Sequence, residues 1–438
     1  MSSEVNPFIH GRAVSPADLF GRDKEVRRLC SRLAAGQSTA VIGMPHIGKT
    51  SLIRCLEDAE YRRACVGELL SQDVFSYLDA QTLHGMQHQG EFWARALTPV
   101  EAMLGDGKEE VLGPVAGLYR VAESNQFGTA VLQQLFAGLA KAGRRLILLL
   151  DEFDDFLTHP VLNSAEFYGG LRSLASLSPG LMVVFATRKE LDQLNELTQT
   201  INPHGSPYFN VFTEIRLGAL PRNALPKLLE KAGGRFGKQD QQFVSAVSGL
   251  HPYLAQSAAA MLWEAHEDGL VGAERYTRAG RAVYQQSRKH FADCWKSWSN
   301  EMKKAVTVIT LCQIPKLIPP HTFHFPELAE TLYDYTPELE KLEAGGFLEI
   351  GQEGDWLVKQ GAFTWWMADE LRRSVRDEKE FSAWLQAQEL DGFFTKKERE
   401  KIGGAVRTGL SKLGKGAVTL IESFAKGLGE STVKQLGG

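Results

Sequence analysis

The sequence predicts an α/β fold: a parallel sheet flanked by helices, then a helical segment, then a small helical unit with a hairpin. Three observations predict it. Strand-like apolar runs alternate with helical ones from about residue 20 to 218. A glycine-bounded loop joins the first of these runs to a helix. After Pro221 the strand signal stops and helical spacing takes over.

The apolar runs are STAVIG, VFSYLDAQ, LILLLDE, LMVVFAT and FTEIRLGAL. Parallel strands covered on both faces read as such near-continuous runs. A further strand is expected between the loop-bearing strand and the strand ending in Asp-Glu. Residues 84–128 are rich in Gly and Gln with scattered helical spacing, and read as an insertion at the sheet edge. The domain boundaries follow. Residues 1–220 hold the sheet, 221–299 form a helical lid, and 300–378 form a winged helix. Residues 379–438 are a basic, amphipathic, Gly-rich tail.

Bulk properties narrow the class. A chain of 438 residues, 43% hydrophobic and 23% charged, fits a multidomain globular protein. A net charge of −4 gives no global attraction for nucleic acid. The five cysteines make no CxxC pair, which argues against a disulfide framework and a zinc site. The first residues lack a basic-then-apolar leader pattern, and LILLL at 146–150 is too short to span a bilayer. A cytoplasmic setting is expected, with peripheral membrane association on activation if the basic tail engages lipid.

The chemistry starts in the loop. Gly43-Met44-Pro45-His46-Ile47-Gly48-Lys49-Thr50 fits GxxxxGK[ST] between a strand and a helix that continues at Ser51. Its glycines let the backbone wrap close to phosphates, and its N–H groups point at negative charge. Lys49 is expected to reach the β/γ oxygens and Thr50 to bind Mg²⁺. Asp151 and Glu152 end the strand RRLILLL. A carboxylate at Asp151 suits the magnesium shell, and one at Glu152 suits a base that polarises water. Asp154 and Asp155 read as charge at a helix N-terminus. Arg188, at the tip of LMVVFAT, is placed to sense a terminal phosphate; an ordinary surface arginine is the plain alternative.

Over residues 327–349 seven acids stand against one base, Lys341. Groove binding needs phosphate neutralisation, so this winged helix should repel DNA and serve as a clamp. The tail is opposite in character. Residues 396–434 carry nine bases and four acids. Ile402, Val406, Leu410, Leu413, Ile421, Phe424 and Leu428 fall mostly three or four apart. Such a helix suits an anionic membrane or an acidic partner. A solvated tail, or a helix folded back on the body, is the plainer reading.

Taken together, these residues resemble the STAND NTPases, the signal-transducing branch near the AAA+ proteins, and the related archaeal-type ATPases. NPFIHGRAVSPADLFGRDKEVRRL, residues 6–29, looks like the family's FGRE signature, and SGLHPYLAQ, 248–256, looks like its lid motif. The resemblance implies a P-loop NTPase with an additional strand, a helical lid and a winged helix. It places Phe20, Gly21 and Arg22 near the base and packs Pro252 on adenine. It implies ATP and Mg²⁺ as cofactors, slow hydrolysis, and a switch that sets oligomerisation or partner access in prokaryotic signalling or anti-phage defence. Two departures stand out. VKQGAFTWW occupies the region where many members place a phosphate-sensing histidine. The chain also shows no repeats, which implies a separate sensor or effector protein. Two other readings stay open: a DNA-associated AAA+ ATPase, such as a transposition regulator or origin-type loader, and a membrane-acting effector that uses the tail.

Overall fold

A computed structural model describes residues 5–105, 112–313, 331–374, 378–388, 396–397, 400 and 416–436. The chain divides into two compact units. The sheet unit comprises Ala13–Met44 and Gly48–Leu217; the helical unit comprises Met1–Arg12, Pro45–Ile47 and Gly218–Gly438.

In the sheet unit the strands are β1 (Thr39–Gly43), β2 (Val74–Asp79), β3 (Leu146–Asp151), β4 (Leu181–Thr187) and β5 (Thr213–Leu217). They are parallel, in the order β2-β3-β4-β1-β5. All five apolar runs form strands. Every residue of β3 and β4 is buried, which is why they carry no polar alternation. β4 is the additional strand, seated between β1 and β3. Its position puts the carboxyl ends of β1, β4 and β3 side by side, where open parallel sheets hold ligands.

The helices of this unit are α1 (Asp23–Ala34), α2 (Lys49–Arg54), α3 (Ala59–Val66), α4 (Gln89–Gly105), α5 (Gly113–Ser124), α6 (Thr129–Lys141), α7 (Ala165–Leu177) and α8 (Leu191–Gln199). Residues 84–105 and 112–128 are more regularly helical than their composition suggests. In α4, Phe92, Trp93, Ala96, Leu97 and Val100 recur at helical spacing and are buried in the main core with Val115 and Tyr119 of α5. The Gly and Gln residues sit mainly at the helix ends, where they dilute a real apolar stripe.

The helical unit contains α9 (Ala224–Leu229), α10 (Lys238–Ser248), α11 (Pro252–Glu267), α12 (Gly272–Ser297) and α13 (Asn300–Gln313). After α14 (Thr336–Ala344), the short antiparallel pair β6 (Leu348–Ile350) and β7 (Trp356–Val358) turns at residues 351–355. Then come α15 (Gly361–Ser374), α16 (Glu378–Ala387) and α17 (Ala417–Leu436). Edge-on aromatic contacts bind the pieces: Trp298 to Phe347 at 4.7 Å, Phe347 to Phe363 at 4.7 Å, and Phe291 to Phe363 at 5.5 Å. Gly346 has φ +75°, and a Cβ there would lie 2.2 Å from the Ala219 nitrogen, so both the turn and the close approach demand glycine.

In the tail, α17 packs back on its own unit. Ala417, Leu420, Ile421 and Ala425 are buried. The Phe424 ring lies 6.1 Å from Phe243 and 5.9 Å from Trp365. The apolar stripe that suggested a membrane or acidic partner is therefore covered within this unit over residues 417–425. Packing of this face offsets the weak propensity of its glycines. Ile402, Val406, Leu410 and Leu413 lie outside the described residues, as do Glu327 and Glu330 of the acidic stretch. No helix among the described residues is long and apolar enough to cross a membrane.

Candidate nucleotide site

The phosphate loop leaves β1 at Gly43 and enters α2 at Lys49. Gly48 has φ +98°, and a Cβ there would meet no atom within 4 Å, so glycine is required by the backbone angle and not by space. His46 is also left-handed, at φ 58°. Turns of this kind aim successive N–H groups into one concavity suited to anions. The Lys49 ammonium is buried and donates to the Gly43 carbonyl at 2.9 Å and the Met44 carbonyl at 3.1 Å. Burial pulls its pKa down, opposed by Glu152 first and then Asp154; Arg188 adds to the lowering, and Asp151 opposes it. Four charged side chains are thus near enough to act on one ammonium.

Asp151 ends β3 with both carboxylate oxygens engaged. Oδ2 accepts from the Tyr77 hydroxyl at 2.9 Å, and Oδ1 accepts from the Glu152 N–H at 2.9 Å. Each oxygen still has a second lone pair for a ligand. A hydroxyl from Thr50 and a carboxylate from Asp151 are hard oxygen donors of the kind that hold Mg²⁺ together with water and phosphate. The donor set therefore fits the metal that the motif implies.

Glu152 sits at φ 47°, ψ 46°, a left-handed conformation that costs a non-glycine residue on the order of 1–3 kcal/mol. Its carboxylate pairs with Arg188, Oε2 lying 3.3 Å from a guanidinium nitrogen. Burial raises the Glu152 pKa above its ordinary value; Lys49 and Arg188 oppose the rise, and Asp151 and Asp154 add to it.

Asp154 does more than cap a helix. Its Oδ1 accepts from the Thr187 hydroxyl at 3.1 Å, and its Oδ2 accepts from the Arg188 N–H at 2.8 Å. The same Oδ2 lies 3.7 Å from Arg188 Nε. Tyr77 and Asp154 are the two site residues that sequence reasoning does not assign. The run DEFDD puts Asp154 within two residues of Glu152, but nothing local points to a partner 34 positions away.

The N-terminal motif is divided between the units. Val14 donates its N–H to Ser51 Oγ at 3.1 Å in the sheet unit. Phe20 and Gly21 precede α1; Gly21 has φ +68°, and Arg22 is buried beside Glu25 at 3.8 Å. Burial pulls the Arg22 pKa down and Glu25 opposes it. In the helical unit, Asn6 donates to the Ala260 carbonyl at 3.2 Å and Phe8 stacks on Phe236 at 5.5 Å. Pro252 opens α11, a position where its missing N–H costs nothing. His46 of the loop groups with this unit, its ring centroid 5.0 Å from Tyr253 and 5.2 Å from His290. Pro45 and Ile47 group with it too.

Residues 18–184 match the family model described as an AAA ATPase domain, and residues 129–313 match the one described as Novel STAND NTPase 2. No curated protein sequence matches the chain. A solved structure of a Walker-type ATPase from Pyrococcus abyssi is similar over 82% of this chain and 99% of that one, at 13% identity and a TM-score of 0.52. The ADP form of the Aeropyrum pernix ORC2 protein is similar over 82% of this chain and 94% of that one, at 14% identity and a TM-score of 0.43. Likeness at such identities concerns the fold.

Proposed function

This chain being a P-loop NTPase of the AAA+ and STAND type, we propose that it is an ATP-dependent molecular switch with slow hydrolysis. The observation that carries the reading is the ion pair between Arg188 and Glu152 beside Lys49. The pair keeps the carboxylate engaged until a terminal phosphate draws the guanidinium away, so hydrolysis waits on a rearrangement of the site. Slow turnover suits a protein that must dwell in one nucleotide state.

In this reading Lys49 and the loop N–H groups hold the β- and γ-phosphates. Thr50 and Asp151 hold Mg²⁺, which neutralises charge on the phosphates when bound. Glu152 accepts the proton of the attacking water, and Arg188 compensates charge at the terminal phosphate. Phe20, Gly21 and Arg22 serve the base. Nucleotide state then sets oligomerisation or access for a separate sensor or effector, in the cytoplasm of a prokaryote, with signalling or anti-phage defence as the setting. Over the described residues 334–349, Asp334, Glu338, Glu340, Glu343 and Glu349 stand against the single base Lys341, which speaks against duplex DNA as the partner of 300–378.

The test is particle size by light scattering with ADP and with a non-hydrolysable ATP analogue, alongside steady-state turnover. The switch requires a different size or partner affinity in the two states and a turnover well below the ~10 s⁻¹ of a median enzyme. Equal behaviour in both states with fast turnover would reject it.

A further inference from the structure

We propose that Asp154 is the positioning residue for Arg188, so that its carboxylate decides whether this site distinguishes a nucleoside triphosphate from a diphosphate. The inference rests on the nucleotide reading above and deepens it.

The geometry is that of a clamp across two neighbouring strands. Asp154 follows β3 in the short 3-10 turn Phe153–Thr158, and Thr187 and Arg188 form the tip of β4. One oxygen of Asp154 takes the Thr187 hydroxyl and the other takes the Arg188 N–H. The Lys189 N–H donates to Thr187 Oγ1 at 3.0 Å, so the hydroxyl is fixed from both sides. The Asp154 side chain is only 9% exposed, against 38% for Arg188. A nearly buried carboxylate therefore holds the backbone from which a half-exposed guanidinium projects.

The guanidinium has two acidic neighbours, Glu152 at 3.3 Å and Asp154 at 3.7 Å. Asp154 is already bonded through both oxygens to the β4 tip, whereas Arg188 is the hydrogen-bond donor that the Glu152 carboxylate finds among the described residues. A terminal phosphate arriving beside Lys49 would compete with Glu152 for the guanidinium and leave the Asp154 tether in place. Arg188 would then turn about a fixed backbone. That turn frees the Glu152 carboxylate only when a terminal phosphate is there to accept the arginine. Discrimination between the triphosphate and the diphosphate would follow from one tethered side chain.

The experiment uses the full chain and four variants: Asp154→Ala, Asp154→Asn, Arg188→Ala, and the double variant Asp154→Ala/Arg188→Ala. Calorimetry gives the affinity ratio of a non-hydrolysable ATP analogue to ADP, and steady-state assays give kcat and KM for ATP. Arg188→Ala should lower both the ratio and kcat by about ten- to hundredfold, the worth of a hydrogen bond to a charged group. Asp154→Ala should reproduce most of that loss with ADP affinity unchanged, and the double variant should lose no more than Arg188→Ala. Asp154→Asn keeps an acceptor for the Arg188 N–H and a polar group for Thr187, so it should recover most of the ratio; this variant also guards against a folding defect in Asp154→Ala. A wild-type ratio in folded Asp154→Ala, or losses that add in full in the double variant, would overturn the inference. Wild-type protein that binds neither nucleotide would instead reject the nucleotide reading, and the inference with it.

Discussion

The Tyr77 hydroxyl on β2 donates to Asp151 Oδ2 on β3 at 2.9 Å, and it is the one side-chain hydrogen bond found on that carboxylate among the described residues. The two strands pair in register, with Asp79 opposite Asp151 and Tyr77 opposite Leu149. Burial, followed by Asp151, pushes the Tyr77 pKa up, so the hydroxyl keeps its proton and donates throughout the neutral range. The Arg54 guanidinium lies 5.2 Å from the ring centre and helps fix the ring.

Tyr77→Phe should therefore loosen Asp151 without altering the phosphate loop. A hydrogen bond to a charged acceptor contributes about 1.5–3 kcal/mol, part of which the freed carboxylate regains from water. The Mg²⁺ concentration for half-maximal turnover should rise several-fold, while nucleotide affinity in EDTA stays constant. An unchanged Mg²⁺ titration would show that Tyr77 only packs against β3.

Glu152→Gln should retain nucleotide binding and slow hydrolysis roughly a hundredfold or more, because the amide cannot accept the proton of water. The pH profile adds a sign. Burial raises the Glu152 pKa, so the base is protonated at a higher pH than an ordinary glutamate. Turnover should fall on the acid side with a midpoint above 4.5, the ordinary value. The same raised pKa means that Glu152 favours the folded state least when ionised, so it lends no stability at neutral pH. A midpoint at or below 4.5, or loss of nucleotide binding in Glu152→Gln, would remove Glu152 from this role.

How much of this is legible in the sequence depends on range. The phosphate loop is contained in eight consecutive residues, and β3 and β4 are continuous apolar runs because both faces are covered. Those features need no tertiary information. Asp154 reads as a helix-terminal charge because its partners come from β4, and only the seating of β4 beside β3 brings them together. Tyr77 escapes notice for the same reason, through the pairing of β2 with β3. The tail shows a different limit. Its amphipathic stripe is visible, but a stripe states that something covers it and not what.

His290 gives a prediction about stability. It is buried on α12, its ring 5.1 Å from His251, 5.3 Å from Tyr253 and 5.2 Å from His46, with Cys294 Sγ 3.8 Å from its Nε2. Burial, with a smaller push from His46, lowers its pKa to about 3. Below the ordinary value of 6.5 the unfolded chain takes up a proton that the folded chain refuses. Stability is therefore highest above pH 6.5 and is lost progressively as pH falls toward 3. Each pH unit in that window costs about 1.4 kcal/mol at full slope. Urea unfolding at about pH 7.5 and about pH 5 should show this loss in the wild type and a shallower one in His290→Gln. Equal slopes in the two proteins would mean that His290 is protonated in the fold.

The tail helix α17 supplies the last prediction. Leu420 and Ile421 are buried, and a Cβ at Gly280 would lie 2.9 Å from Ile421 Cγ2, so the helix approaches α12 where glycine leaves room for it. Arg281 pairs with Glu422 at the rim, where exposure limits its contribution. Backbone amides across 417–425 should accordingly exchange slowly in the isolated protein, with no added lipid or partner. Ile421→Ala should destabilise the fold by about 2–5 kcal/mol through lost burial and the cavity left behind. Gly280→Ala should push against Ile421 and destabilise too, and combining it with Ile421→Ala should relieve part of that clash, so the pair should cost less than the sum. Anionic vesicles should leave exchange across 417–425 unchanged, because the face they would need is already covered. Fast exchange there in the free protein, followed by protection on adding vesicles, would return the stripe to an external partner.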